Sequence, residues 1–289
     1  MYAVTGITGQ VGGHVARALL KAGQSVRAIV RSSQKRSVWE ARGCDVAVAD
    51  MADARALAAA FRGTLGAFLL LPPNFDPFPG FPEARAVIAA IRSAVESGRP
   101  ERVVCISTIG AQAKQENLLT QLTLLEQALS DAPVPVTFLR PAWFMENSSS
   151  DVASAKDHGV VPSFLHPLDR PVPMVSAADV GNVAAELLRQ TWTGNRIVEL
   201  EGPQRVSPNE IAAALAELLG RAVRAEIVPR DTWAAAFASQ GMKNSTPRIR
   251  MLDGFNEGWI EFEGGASGSR KGTVQLAAAL RDMVINQSS

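Results

Sequence analysis

The chain opens on a short apolar strand that runs straight into glycines. Tyr2-Ala3-Val4-Thr5 is followed by Gly6-Ile7-Thr8-Gly9-Gln10-Val11-Gly12-Gly13. Val15, Leu19 and Ala22 then recur at helical spacing until Gly23 ends the run. Strand, G-x-x-G-x-x-G turn and helix, in that order, constrain the fold more than any other part of the chain. Without side chains the backbone can approach a phosphate closely. The helix behind it offers free N–H groups and the positive end of its dipole. The spacing alone is weak, and its place after a first strand in an alternating pattern gives it weight. The competing reading is a tight turn with no ligand.

The alternation continues. Strands are expected at Val26–Val30, Val46–Ala49, Ala67–Leu71, Val103–Ser107 and Val136–Arg140, with helices over Ala54–Phe61, Glu83–Ser97 and about Asn117–Leu129. Continuous apolar strands separated by helices predict an α/β fold: a Rossmann-type, doubly wound parallel sheet, buried on both faces. After Asn147 the rhythm breaks, and Ser148–Pro173 reads as loop. A helix over Ala178–Arg189 and a strand at Arg196–Leu200 are placed to return to the sheet. Ser207-Pro208-Asn209-Glu210 is a capping box that starts a helix running to Leu219. A strand over Ala222–Val228, a helix from about Thr232, an aperiodic Met251–Arg270 and a last helix over Val274–Val284 complete the chain. The expected division is an NAD(P)-binding domain at 1–148, rejoined by 176–200, and a smaller substrate-facing α/β lobe at 149–289.

At 289 residues with 47% hydrophobic and 20% charged side chains, the chain can bury a sizeable core, which excludes a disordered protein. No run approaches ~20 apolar residues, so no membrane span is expected, and the first residues carry no signal-peptide pattern. The net charge is +1 without like-charge blocks, which argues against direct nucleic-acid binding. Cys44 and Cys105 stand in strand-like runs with no pair or metal spacing, so reduced, buried thiols in a cytoplasmic protein are expected.

Past the second strand a dinucleotide site presents an acid to a ribose 2′-hydroxyl or a base to a 2′-phosphate. Here Arg31, Lys35 and Arg36 follow Val30, and no acid appears before Glu40. That favours NADP(H), with NAD(H) possible; a solvated charged loop is the alternative. Pro72–Pro82 packs five prolines and three phenylalanines, Phe75, Phe78 and Phe81, into eleven residues after the fourth strand. It can floor an apolar pocket with Trp143, Phe144 and Phe164 opposite, or simply be pinned by its own aromatics. His158 and His166 follow in the next segment, either surface groups or proton donors, and Asn147 and His166 complete the candidate pocket.

Thr5–Gly12, Val30-Arg31-Ser32, Asp50-Met51, Leu139-Arg140-Pro141-Ala142-Trp143-Phe144-Met145-Glu146-Asn147 and the closing Arg270-Lys271-Gly272-Thr273 resemble the NmrA-like branch of the atypical short-chain dehydrogenase/reductases. The resemblance spans most of the chain, and Arg140–Asn147 is its most specific stretch. It implies the fold and the cofactor better than a reaction, since the family includes NADPH-dependent quinone and dye reductases and also cofactor-sensing regulators. By position it implies that Thr5, Gly6, Thr8, Gly9, Gln10, Val11 and Gly12 line the pyrophosphate. Arg31 and Lys35 would hold the 2′-phosphate, and Asp50 and Met51 would border the adenine. Leu71 and Pro72 would face the adenosine ribose, Ser107 and Thr108 the nicotinamide ribose, and Pro141 and Trp143 the nicotinamide.

Ordinary short-chain dehydrogenases use a Tyr and a Lys four residues later on the helix after strand five. The only tyrosine here is Tyr2. The positions resembling that pair hold Thr123 and Gln127, which share a helix face. Gln127 can bond a ribose but supplies no charge; the bland alternative is two ordinary polar positions. Two readings follow. One is an NADPH-dependent oxidoreductase that passes hydride to a flat, hydrophobic, conjugated quinone- or dye-like acceptor needing little acid help. The other is a non-catalytic NADP(H) sensor that signals to a protein partner. Monomer and homodimer both stay open.

Overall fold

The structure, a computed structural model, describes residues 1–286. Six strands carry the alternating pattern: β1 Tyr2–Val4, β2 Val26–Val30, β3 Asp45–Val48, β4 Gly66–Leu69, β5 Val103–Ile106 and β6 Val136–Pro141. With Arg196–Glu201 and Arg270–Lys271 they form one eight-stranded sheet. Its order is β3-β2-β1-β4-β5-β6, then Arg196–Glu201, then Arg270–Lys271. The β2–β3, β1–β2, β1–β4, β4–β5 and β5–β6 registers are all parallel. The chain is therefore α/β and Rossmann-like, as its pattern predicts. Sequence order reverses between β1 and β4, the place where such sheets bind ligands outside their carboxyl ends.

The chain divides into two compact units. The first comprises Met1–Ala111, Leu119–Arg140 and Val180–Val198. It holds α1 Gln10–Lys21, α2 Arg36–Glu40, α3 Ala54–Phe61, α4 Pro82–Gly98 and α5 Thr120–Leu129. Its core sets Leu57 and Phe61 of α3, Ile88 and Ile91 of α4, and Leu125 and Leu129 of α5 against Leu69, Val103 and Phe138 of the strands. Close approach needs glycine at two contacts. A Cβ on Gly98 would stand 2.7 Å from the Ala58 carbonyl oxygen, and one on Gly181 would stand 2.3 Å from the His14 Cβ.

The second unit comprises Gln112–Leu118, Pro141–Asp179 and residues from Glu199 on. It holds helices at Ser149–His158, Pro208–Leu219, Trp233–Ser239, Thr246–Glu257 and Leu276–Asn286. Val160–Ser163 pairs in parallel with Arg224–Ile227, and Trp143–Phe144 with Met174–Val175. The capping box forms as read: the Glu210 N–H donates to Ser207 Oγ at 3.3 Å, and the Ser207 N–H to Glu210 Oε2 at 2.7 Å. Buried Asp179 accepts from the Thr273 N–H and Oγ1–H and the Val274 N–H, while a Cβ on Gly272 would lie 2.5 Å from its Oδ2. That carboxylate is what the Gly272-Thr273 turn is built around.

Two expectations need correction. Ser148–Pro173 is not a loop throughout, because Ser149–His158 is helical and Val160–Ser163 is a strand. Only Val152 and Ala155 of that helix are buried, so it leaves almost no apolar period to read. Met251–Arg270 is likewise helical as far as Glu257, on a helix that begins at Thr246.

Candidate functional site

The glycine turn separates into distinct jobs. Thr5 is buried; its Oγ1–H donates to the Phe68 carbonyl oxygen at 3.0 Å and its Oγ1 accepts from the Leu70 N–H at 3.3 Å, fixing the end of β1 against β4. Gly6 sits at φ +59°, and a Cβ there would lie 2.4 Å from Leu70 Cδ2. A Cβ on Gly12 would stand 2.3 Å from the Gly6 carbonyl oxygen. Those two glycines are required by the turn itself. Gly9 is different: it is extended, and a Cβ would meet only the Gly6 oxygen, at 3.3 Å. It is the residue before α1, no side chain caps the helix there, and the first turn carries no acid. Thr8, Gly9 and Gln10 are exposed and Val11 is half-buried. Uncapped N–H groups, an open approach and no competing carboxylate fit a dinucleotide pyrophosphate.

The carboxyl ends of β2, β3 and β4 lie in adjacent sheet positions. Just past β2, Arg31 and Lys35 are exposed, and neither pairs with a carboxylate among the described residues, whereas Arg36 pairs with Glu40 at 3.1 Å. Past β3, Asp50 accepts from the Ala52 N–H at 2.9 Å, and Met51 is buried. Past β4, Leu71 is buried and Pro72 half-buried. The two free cations match a 2′-phosphate better than a 2′-hydroxyl.

Past β5 the arrangement centres on a residue that spacing did not single out. Ser107 donates its hydroxyl proton to Glu126 Oε1 at 2.5 Å. Glu126 also takes both prongs of Arg140, Nε at 2.8 Å and Nη2 at 2.7 Å. Arg140 is only 4% exposed, so α5 and the ends of β5 and β6 are clamped by a buried bidentate ion pair. Of the two positions marked on α5, Thr123 donates its hydroxyl to the Ala111 carbonyl oxygen at 2.8 Å, and Gln127 is exposed. Neither bonds Ser107. Thr108 is buried. Cys105 is buried free of any disulfide, and burial pushes its thiol well above the usual range, which makes it inert.

The Pro72–Pro82 loop is anchored at one of its aromatics. Phe81 is 2% exposed and belongs to the core, while Phe75 and Phe78 are 61% and 65% exposed. The Gln121 amide ties the loop to α5 by donating to the Asn74 carbonyl oxygen at 3.0 Å.

In the second unit Pro141 is buried, and Trp143 meets Phe255 edge-to-face at 5.0 Å. Phe144 is half-buried and Asn147 exposed. Phe164 belongs to a separate cluster, stacked on Phe237 at 5.2 Å and edge-on to Trp233 at 5.6 Å. Asn256 brackets this segment: it accepts from the His166 N–H and donates to the Phe164 carbonyl oxygen, both at 2.9 Å. His166 is half-buried and His158 exposed at the end of its helix. No helix among the described residues is long and apolar enough to cross a membrane.

The model of the NmrA-like family matches residues 2–246. The chain is 28% identical over 259 residues to an NAD(P)H azoreductase of Xenophilus azovorans, covering 89% of this chain and 85% of that one. It is 28% identical over 244 residues to quinone oxidoreductase 2 of Escherichia coli K12, covering 84% and 82%. The crystal structure of the Escherichia coli NADPH-dependent quinone oxidoreductase with NADPH superposes with a TM-score of 0.80 at 22% identity, over 100% of each chain.

Proposed function

We propose, from the premise that the chain belongs to the NmrA-like family, that it is an NADPH-dependent reductase of flat, hydrophobic, conjugated acceptors of the quinone or dye kind. The observation that carries this reading is the cleared, uncapped start of α1 after β1 together with two cations past the adjacent β2 that have no carboxylate partner among the described residues. Gly6 and Gly12 shape the turn, Gly9 leaves the α1 N-terminus open to a pyrophosphate, and Arg31 with Lys35 takes the 2′-phosphate. Asp50 and Met51, Leu71 and Pro72, and Ser107 and Thr108 stand past the ends of β3, β4 and β5, where the adenine and the riboses would lie. Bound NADPH supplies the hydride, so the protein's task is to bind, orient and exclude water.

The character of α5 supports the choice of acceptor. Thr123 spends its only proton on a backbone carbonyl, Gln127 is exposed, and the single tyrosine is buried in β1. No group on that helix is poised to protonate a substrate oxygen. An acceptor that delocalises the added electron pair and takes its proton from water suits such a site, and an unactivated ketone does not. Relatives named as an azoreductase and a quinone oxidoreductase agree with this.

The test is steady-state NADPH oxidation with quinones, azo dyes and simple ketones in parallel. Turnover of the first two and not the third is expected. Tight NADP(H) binding with no turnover on any acceptor would replace the enzyme with the sensor.

A further inference from the structure

Val160–Ser163 and Arg224–Ile227 make a sheet of their own in the second unit, with no third strand on either side among the described residues. Their ladder fixes which way each backbone group points. The Arg224 N–H donates to the Gly159 carbonyl oxygen at 3.0 Å, and the Val228 N–H to that of Ser163 at 2.9 Å. Along such a ladder alternate residues face the partner strand. Arg224 and Glu226 therefore bond inward, while Val223, Ala225 and Ile227 turn their N–H and C=O groups outward. Among the described residues, nothing accepts from or donates to those outward groups.

The two outer edges differ. On Val160–Ser163 the outward positions are Val160 and Pro162, and proline has no N–H, so that edge is blocked at its middle. Arg224–Ile227 carries no such block, and Ile227 is left 49% exposed. Its guards are two exposed charges, Arg224 and Glu226, paired with each other at 2.5 Å. Edge charges deter foreign strands. Opposite in sign and two residues apart, these two do not deter a second copy of themselves.

We propose that Arg224–Ile227 is a self-recognition edge, on which two copies of this chain pair antiparallel about Ala225 to make one four-stranded sheet. The proposal does not depend on the reaction. A two-fold axis at Ala225 sets Arg224 of each copy against Glu226 of the other, and Val223 against Ile227. Backbone and side chains select this register separately. Residues 223, 225 and 227 become the hydrogen-bonded pairs, which satisfies every outward group. Arg224 and Glu226 fall in the non-hydrogen-bonded pairs, where side chains come closest, and there they meet as opposite charges. A slip of one residue would turn inward-bonded groups to the new edge. A slip of two would set arginine on arginine or glutamate on glutamate. Four strands also make a sturdier sheet than two, which are marginal alone.

The test is sedimentation velocity of the full chain over a concentration series, with circular dichroism to check each variant's fold. Wild type should show a monomer–dimer equilibrium. Arg224→Glu and Glu226→Arg each bring like charges face to face at two places in the dimer, so each should weaken it about tenfold or more. Arg224→Glu combined with Glu226→Arg restores both pairs and should dimerise like wild type. An equal mixture of the two single variants should form heterodimers, because every cross-strand contact is then between opposite charges. Ala225→Pro removes an N–H that the monomer's ladder does not use, and should abolish the dimer with the fold kept. A wild type that stays monomeric throughout the series would overturn the proposal. Dimers indifferent to the single charge reversals would overturn it too, and would put the interface on another face. Loss in the single variants with no recovery in the combined variant or the mixture would mean damage to the strand rather than repulsion across it, and the proposal would fall.

Discussion

Gly9 and Gly12 should fail in different ways when replaced. Gly12 is walled in: a Cβ would sit 2.3 Å from the Gly6 carbonyl oxygen, so Gly12→Ala must push backbone apart. Such overpacking costs ~1–3 kcal/mol, which urea unfolding would register. Gly9 is extended backbone that any residue adopts, with one contact at 3.3 Å. Gly9→Leu should therefore cost only about 1 kcal/mol, for a slight shift of the Gly6 oxygen and a poorer cap, while losing measurable NADPH binding in titration calorimetry. Unchanged affinity would remove the phosphate from this turn. Arg31 tests the next contact outward. Among the described residues it makes no ion pair that the substitution would break, so Arg31→Ala should leave stability alone. A charge-assisted bond is worth ~1.5–3 kcal/mol when well formed, so the NADPH/NADH affinity ratio should narrow about tenfold or more. Equal affinity for both cofactors in wild type would leave the loop as solvated surface.

Helix α5 carries two kinds of polar residue, and mutation should separate them. The Thr123 hydroxyl is bound to the Ala111 carbonyl oxygen, so Thr123→Val should lower kcat at saturating NADPH far less than the ~10²–10⁴-fold expected of a general acid. A thousandfold loss with an intact circular dichroism spectrum would show that Thr123 handles the proton. Glu126 is structural in a stricter sense. Glu126→Leu takes the bidentate carboxylate from the buried, charged Arg140 and should cost about 3–5 kcal/mol, whereas Glu126→Leu with Arg140→Met should recover most of it. Denaturant midpoints for the three variants decide this, and additive losses would mean that the pair is not coupled. The same helix marks how far sequence reading reaches. Buried parallel strands announce themselves as unbroken apolar runs cut by Gly, Pro or charge, so β1 to β6 were legible to within a few residues. Thr123 and Gln127 could be marked because i and i+4 share a helix face. The Glu126–Arg140–Ser107 cluster could not, because pairing between a helix and two strands has no spacing. Its only sign was Arg140, a charge closing the strand-like run Val136–Leu139. Ser149–His158 escaped for the opposite reason, since two buried residues do not make a period.

The way the chain is threaded bears on how it folds. Each unit draws on three separated segments, and the first is completed only by Val180–Val198. That segment is specific in its packing: Gly181 meets α1 so closely that a Cβ would lie 2.3 Å from the His14 Cβ and 3.0 Å from the Val11 carbonyl oxygen. It also supplies the start of Arg196–Glu201, the sheet neighbour of β6. A fragment ending at residue 148 would contain every glycine and cation assigned to the cofactor, yet leave β6 as an open edge and one side of α1 bare. An apolar strand edge without its partner pairs with other chains, and a helix face without its partner loses the burial that stabilises it. The 1–148 fragment should therefore show no cooperative urea transition and should aggregate. A version in which a short flexible linker joins 1–148 to 176–200 should unfold cooperatively and bind adenosine 2′,5′-bisphosphate. The comparison needs only circular dichroism in urea and a titration of each fragment. Cooperative unfolding of 1–148 alone, with full affinity for the bisphosphate, would show that the returning segment adds nothing to the cofactor-binding unit.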